Sequence, residues 1–190
     1  MVRTDLRLLI IITGPVGAGK STTSAALARS LRRPDVAVAV IDLDQLYGFV
    51  RQQDGYGEPT AWARARQGAA VLANTLFNTG MSIVIVEGEF FTADELGAVT
   101  APMEANIEHA FFTLRLSYAH ALTRVQRDAS RGASKDPVFL RSLHADFTQA
   151  LPFLRAASVV LDTDQLAQDE VVARLNTVLR EQRRAPSEQP

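Results

Sequence analysis

Eight consecutive residues, Gly14-Pro15-Val16-Gly17-Ala18-Gly19-Lys20-Ser21, combine three glycines, an ammonium and a hydroxyl at a spacing suited to a chain of phosphates. They match the Walker A pattern G-x4-GK[S/T]. Glycines let successive backbone N–H groups turn toward one anion with no Cβ in the way. A helix opening at Lys20 adds free N-terminal donors and the positive end of its dipole. Lys20 would then reach the β- and γ-phosphates, Ser21 would hold magnesium, and Thr22 would donate to the α-phosphate. A glycine-rich turn could show the same letters by chance. Here an apolar run precedes the loop and an alanine-rich run follows it, which is the context the motif requires. ATP and Mg2+ are the expected ligands.

Two acidic groups accompany the loop. Asp42 and Asp44 flank Leu43 after an apolar run, so one could hold a magnesium-bound water while the other contacts or deprotonates an acceptor hydroxyl. The alternative for Asp44 is a cap on a short helix that begins at Gln45. Ile83-Val84-Ile85-Val86 runs into Glu87-Gly88-Glu89, the Walker B shape. This puts Glu87 near the metal and Glu89 in an acceptor pocket, and Gly88 would let a ligand approach the backbone closely. Arg124, Arg127 and Arg131 recur at i, i+3 and i+7, within roughly 60° of one helix face. They lead into Gly132-Ala133-Ser134-Lys135, a small connection suited to a lid that spreads transition-state charge. A solvated face with surface ion pairs is the alternative.

An acceptor pocket is expected near Asp44, Arg51, Trp62 and Glu89, built from residues 47–66 and 90–104. Trp62, with Arg64 and Arg66, follows Gly55-Tyr56-Gly57 and would either line that pocket or anchor a helix to the core. His109, His120 and His144 lie far apart with no ligand spacing.

These groups need a scaffold. The chain has 190 residues, 47% hydrophobic and 22% charged, which suits a single α/β domain over residues 1–180. The polar stretch 181–190 is expected to fray. Five apolar runs, 8–13, 36–41, 83–86, 110–116 and 158–161, read as strands buried on both faces. Helical patterns lie between them at 20–32, 60–78, 118–130, 137–151 and 169–183. Asp136-Pro137 opens one of these and Gly80 closes another. The alternation predicts a doubly wound parallel sheet with ligands beyond the carboxyl ends of its strands.

Several classes are disfavoured. Twenty basic and 21 acidic residues give a net charge of −1, which argues against a polynucleotide partner. The absence of cysteine removes disulfides, thiolate metal sites and cysteine nucleophiles. The run 8–12, preceded by Arg3 and Arg7, is too short to span a bilayer and leads into the loop rather than a cleavage site. No membrane association is expected, and the cytoplasm, where ATP and magnesium are found, is the expected location.

The loop GPVGAGKST, the DLD after the second strand, the EGE after the third and the arginine-bearing lid together resemble the P-loop kinase superfamily of small-molecule kinases. Its members include shikimate, gluconate and adenylylsulfate kinases and chloramphenicol phosphotransferase. The resemblance covers residues 8–179. It implies a three-layer fold with a five-stranded parallel sheet ordered 2-3-1-4-5, and a magnesium-dependent kinase. By position it assigns Gly14, Gly17, Gly19, Lys20, Ser21 and Thr22 to phosphates and magnesium, Asp42 to a magnesium-bound water and Asp44 to the acceptor. Arg124 and Arg127 fall near adenine and the phosphates, and Asp162-Thr163 borders adenine. The glycine triplet of shikimate kinase is replaced by Glu87-Gly88-Glu89, which argues against a shikimate acceptor.

The expected activity is phosphoryl transfer from ATP to a hydroxyl of a small molecule, with Lys20, Asp44, Glu89 and Arg127 as catalytic residues. A regulatory NTPase acting on partner proteins is one alternative. A polynucleotide 5′-hydroxyl kinase is another.

Overall fold

The computed structural model describes residues 7–52, 57–129 and 132–184. Its centre is β1 (Leu8–Thr13), a run of Leu, Ile and Thr with every residue buried. β1 pairs in parallel with β3 (Ile83–Glu87) on one side and β4 (Glu108–Arg115) on the other. β2 (Val38–Asp42) adds to β3, and β5 (Val159–Asp162) adds to β4, so the order is β2-β3-β1-β4-β5. This is the expected topology. The outer strands differ from expectation in burial: β2 and β5 are edges and only partly covered, with Val40 exposed.

Side chains alternate across a strand, so β1 feeds two cores. Leu8, Ile10 and Ile12 meet Leu27 and Ala28 of α1 (Lys20–Leu31) and Leu175 and Leu179 of α7 (Gln168–Arg184). Leu9 and Ile11 meet the opposite layer, dominated by α3 (Pro59–Asn78). That helix presents Ala61, Ala65, Ala69 and Ala73 at four-residue spacing, all fully buried. Small side chains in one row let its backbone lie close to the sheet.

One helix, Ala93–Thr100, was not expected, and another, Leu43–Val50, was weighed only as a short helix beginning at Gln45. α2 (Leu43–Val50) is capped by Asp42, whose side chain accepts from the N–H groups of Asp44 and Gln45. The cap is therefore Asp42, not Asp44. α4 (Ala93–Thr100) opens with a capping box between Thr92 and Glu95. α5 (Tyr118–Arg127) stops short of 130, because Asp128 takes an extended conformation. α6 (Pro137–Ala157) instead passes through Pro152 and buries Leu154 fully in the next turn. α7 runs on to Arg184, so residues 181–184 of the expected tail are helical; residues 185–190 lie outside the described residues. No helix of the described residues is long and apolar enough to cross a membrane.

Candidate active site

The loop after β1 depends on close backbone approach. A Cβ on Gly14 would sit 2.4 Å from the carbonyl oxygen of Leu114, an impossible contact. Gly19 takes φ 88° as it enters α1, which has no side-chain cap and no acid in its first turn. The first N–H groups of α1 are thus presented together with its positive dipole end, the arrangement that binds anions. Lys20 Nζ donates to Gly14 O (2.9 Å) and Pro15 O (3.4 Å), which draws the ammonium over the loop.

Carboxylates approach from the neighbouring strand ends. Asp42 and Glu87 are register partners across β2 and β3. Glu87 is 3% exposed. Its pKa is pushed up to about 7, chiefly by burial, with Asp42 and Asp44 adding to the rise and a Ser21 hydrogen bond and Lys20 opposing it. Asp42 gives both oxygens to the start of α2, Oδ2 accepting from Gln45 Nε2 at 3.3 Å. It lines none of the cavities described below. Asp44 instead lines the one shared by Lys20, Ser21, Glu87 and Glu89, called here the phosphate cavity for the anion its loop suits. Gly88 has a packing reason rather than the expected ligand reason: a Cβ there would meet Leu43 Cβ at 2.6 Å.

No group of three or more His, Asp or Glu side chains among the described residues is placed to hold a metal ion. The donor set still suits magnesium, which keeps several waters and binds through one or two carboxylates plus substrate phosphates. Ser21 and Glu87 line one cavity, where the charges of Lys20 and two aspartates act on the buried acid.

Three cavities adjoin along the carboxyl edge of the sheet. The middle one, about 390 Å³, is lined by Lys20, Ser21, Asp44, Glu87 and Glu89, with Gly132–Ser134 over it. The short turn Ala133–Lys135 thus lies where a lid was expected. A slot of about 290 Å³ continues past Gly17 and Thr22 to Arg124 and Thr163. Arg124 spans this slot, donating to Gly17 O (3.4 Å) and Thr163 O (2.8 Å). Thr163 is held by its own bonds to Arg115 O. Its neighbour Asp162 is ion-paired to Arg115 and lines none of these cavities. Arg127 is exposed at the end of α5 and lines none of them either. Arg131 lies outside the described residues.

The third cavity is a cleft of about 790 Å³ between α3, the turn before α4, and α6. Arg66 forms its wall, 8% exposed, with Nη2 donating to Glu89 O (2.9 Å) and Glu95 Oε1 (2.7 Å). Trp62 does both things weighed for it: it stacks on Tyr47 at 4.2 Å between ring centroids and lines the cleft. Arg51 lies at the exposed C-terminus of α2 and lines none of the cavities described here. Glu89 lines both the cleft and the phosphate cavity. Its carboxyl is pushed up by burial and by Asp44 and Glu95, against the pull of Lys20 and Arg66.

The α6 wall was missed. Leu143, Asp146, Ala150 and Phe153 all line the cleft. Their spacing of three, four and three residues marks one helix face, and Asp146 is the one acid on it. Glu95 was missed as well, although the Thr92-x-x-Glu95 pattern announces a capping box in the sequence.

No protein-family model matches the chain, and no curated protein matches it. Solved structures do. A sugar kinase from Janibacter sp. HTCC2649 has TM-score 0.66 and 14% identity, over 92% of this chain and 95% of that one. The Mycobacterium tuberculosis APS kinase in complex with AMPPNP and APS has TM-score 0.65 and 14% identity, over 92% and 98%. Shikimate kinase from Bacteroides thetaiotaomicron has TM-score 0.62 and 18% identity, over 91% and 98%. At these identities the likeness fixes the fold alone, which the chain shares with these three kinases.

Proposed function

We propose that this chain transfers the terminal phosphoryl group of ATP to a hydroxyl of a small molecule bound in the Trp62–Arg66 cleft, in the cytoplasm where magnesium and ATP are at hand. The observation that carries this reading is the position of Glu89, which borders the phosphate cavity on one side and the cleft on the other. A hydroxyl entering from the cleft meets a carboxylate and a phosphate site together, as in-line transfer requires. The structural likeness to a sugar kinase, APS kinase and shikimate kinase agrees with it.

In this reading the loop amides and the N-terminus of α1 hold the β- and γ-phosphates, and Lys20 neutralises their oxygens. The nucleoside occupies the slot between Arg124 and Thr163. Magnesium, taken by Ser21 and Glu87 with Asp44 beside it, would offset the charge that builds on the transferred group. The acceptor O–H loses its proton to Glu89 as its oxygen bonds to the γ-phosphorus; the bond to the β,γ-bridging oxygen breaks and ADP leaves. Burial of Glu89 raises its proton affinity toward that of a useful base.

The test is a metabolite-library screen with ATP and magnesium, read as ADP release. Turnover that depends on one acceptor class is expected. Slow hydrolysis that no acceptor accelerates would sink the proposal and favour a regulatory NTPase.

A further inference from the structure

The cleft carries a charge pattern that restricts its occupant. Three carboxylates line it, Glu89, Glu95 and Asp146, and Arg66 is the one cation among the described lining residues. That cation is paired with Glu95, while its buried Nε has no hydrogen-bond partner among the described residues. Its Nη2 serves Glu89 O and Glu95 Oε1, and its guanidinium lies 5.9 Å from the ring centres of both Trp62 and Phe90. Glu95 is committed to backbone as well, because Oε2 takes the N–H groups of Phe91 (2.6 Å) and Thr92 (3.1 Å). Glu89 and Asp146 remain, and neither has a hydrogen-bond or ion-pair partner among the described residues. Asp146 is exposed on α6. An anionic ligand here would face two such carboxylates and a single guanidinium already ion-paired with Glu95, a juxtaposition that costs affinity.

The rest of the lining is apolar and ring-shaped. Trp62 is fixed by stacking on Tyr47, and Phe91 packs edge-on to Phe147 at 5.7 Å. Phe153 and Leu143 close the α6 side. Rigid aromatic walls with a few polar groups are the usual make-up of a pocket for a ring-bearing small molecule.

We infer that the cleft takes an amine-bearing alcohol with an apolar ring, its ammonium paired with Asp146 and its ring against Trp62 and Phe91, and that it rejects carboxylate and phosphate-bearing molecules. The word acceptor for this molecule rests on the kinase reading above; the charge preference of the cleft does not.

Trp62 is the single tryptophan of the chain, so its emission reports on the cleft. Phenethylamine, 2-phenylethanol and phenylacetate share one ring and differ in charge. Titrated into the full chain, the amine should shift Trp62 emission with a Kd at least about tenfold tighter than phenylacetate, the alcohol falling between. Asp146→Asn should reduce that preference to about twofold or less. The inference is overturned if phenylacetate binds within about threefold of the amine, if no probe shifts Trp62 emission up to its solubility limit, or if Asp146→Asn leaves the preference intact. Amine binding without acceptor-dependent ADP release from any compound would remove the kinase reading and leave the charge preference standing.

Discussion

In the reading proposed above, the nucleotide side and the acceptor side of this site are built by different means. The nucleotide side is mostly backbone: a turn after the central strand, a helix N-terminus without a cap, and acids at the ends of β2 and β3. The acceptor side is mostly side chains, brought in by α3, the turn before α4, and α6. Its polar groups are partly tied to one another, as Arg66 Nη2, Glu95 and the Glu89 carbonyl show, although Arg66 Nε is buried without a partner among the described residues. On the loop side the polar groups are tied mainly to backbone, Lys20 to loop carbonyls and Asp42 to the start of α2, and Glu87 is buried with its proton affinity raised. In the proposed reading the first set of groups shapes the cleft for one acceptor, whereas the second is held for a ligand common to many proteins.

The sharpest way to break this comparison is Lys20→Ala. Removing a preorganised cation from the transferring phosphate should lower kcat about a thousandfold in the ADP-release assay. The fold should survive, because Lys20 bonds only to loop carbonyls. Retention of full turnover would end the kinase reading.

Glu87→Gln probes the same side through stability. In the ligand-free protein a carboxyl with a folded pKa near 7 and an ordinary value of 4.5 binds more protons folded than unfolded. Its protonated form therefore supports stability fully below pH about 4.5, and that support is lost as pH rises through 7. Glutamine imitates the protonated acid. Thermal or urea unfolding should find the variant close to wild type at pH 4 and more stable at pH 8, by about 3 kcal/mol. A gap that does not widen with pH would mean that Glu87 is not held as a buried acid.

What the sequence revealed follows the same division. The loop Gly14–Ser21 and the run into Glu87 were legible because they sit on contiguous segments whose chemistry depends on local backbone. The strand order was implied by the family resemblance and not by the residues themselves. The exchange of duties between Asp42 and Asp44 was not legible. Both acids follow the same strand, and only the phase at which α2 starts decides which one caps it and which one lines the phosphate cavity. Asp146 and Phe153 were illegible for a further reason. Their helix face is partly apolar, and nothing in its periodicity distinguishes a face that meets the core from one that meets a cleft. Arg66 reads with Trp62 as a pocket residue, but its partner Glu95, 29 residues away in sequence, is set only by the fold.

On the cleft side Arg66→Leu sharpens the contrast, because it removes a cation held by a carboxylate and a carbonyl distant in sequence instead of one held by the carbonyls of its own loop. The leucine keeps part of the apolar stem but strands Glu95, whose side chain is 29% exposed, and leaves the Glu89 carbonyl without its donor. A loss of about 2 kcal/mol in unfolding free energy is expected. Adding Glu95→Gln should recover part of it. If the double variant is no more stable than Arg66→Leu alone, the pair is not what holds the wall.

The smallest effects separate two arginines one turn apart on α5. Arg124 ties the loop at Gly17 to the Thr163 turn and borders the nucleoside slot. Arg124→Ala should raise the KM for ATP about tenfold, near 1.4 kcal/mol, with kcat little changed, the pattern of a lost contact that is equal in ground and transition states. Arg127 shares the helix face by spacing but is exposed and borders none of the cavities, because α5 ends there. Arg127→Ala should therefore change kcat less than about twofold. A tenfold or larger fall in its kcat would require the end of α5 to travel onto the phosphates during turnover. That outcome would restore the catalytic role its spacing suggests, and it would move the lid from the acceptor side of the comparison to the nucleotide side.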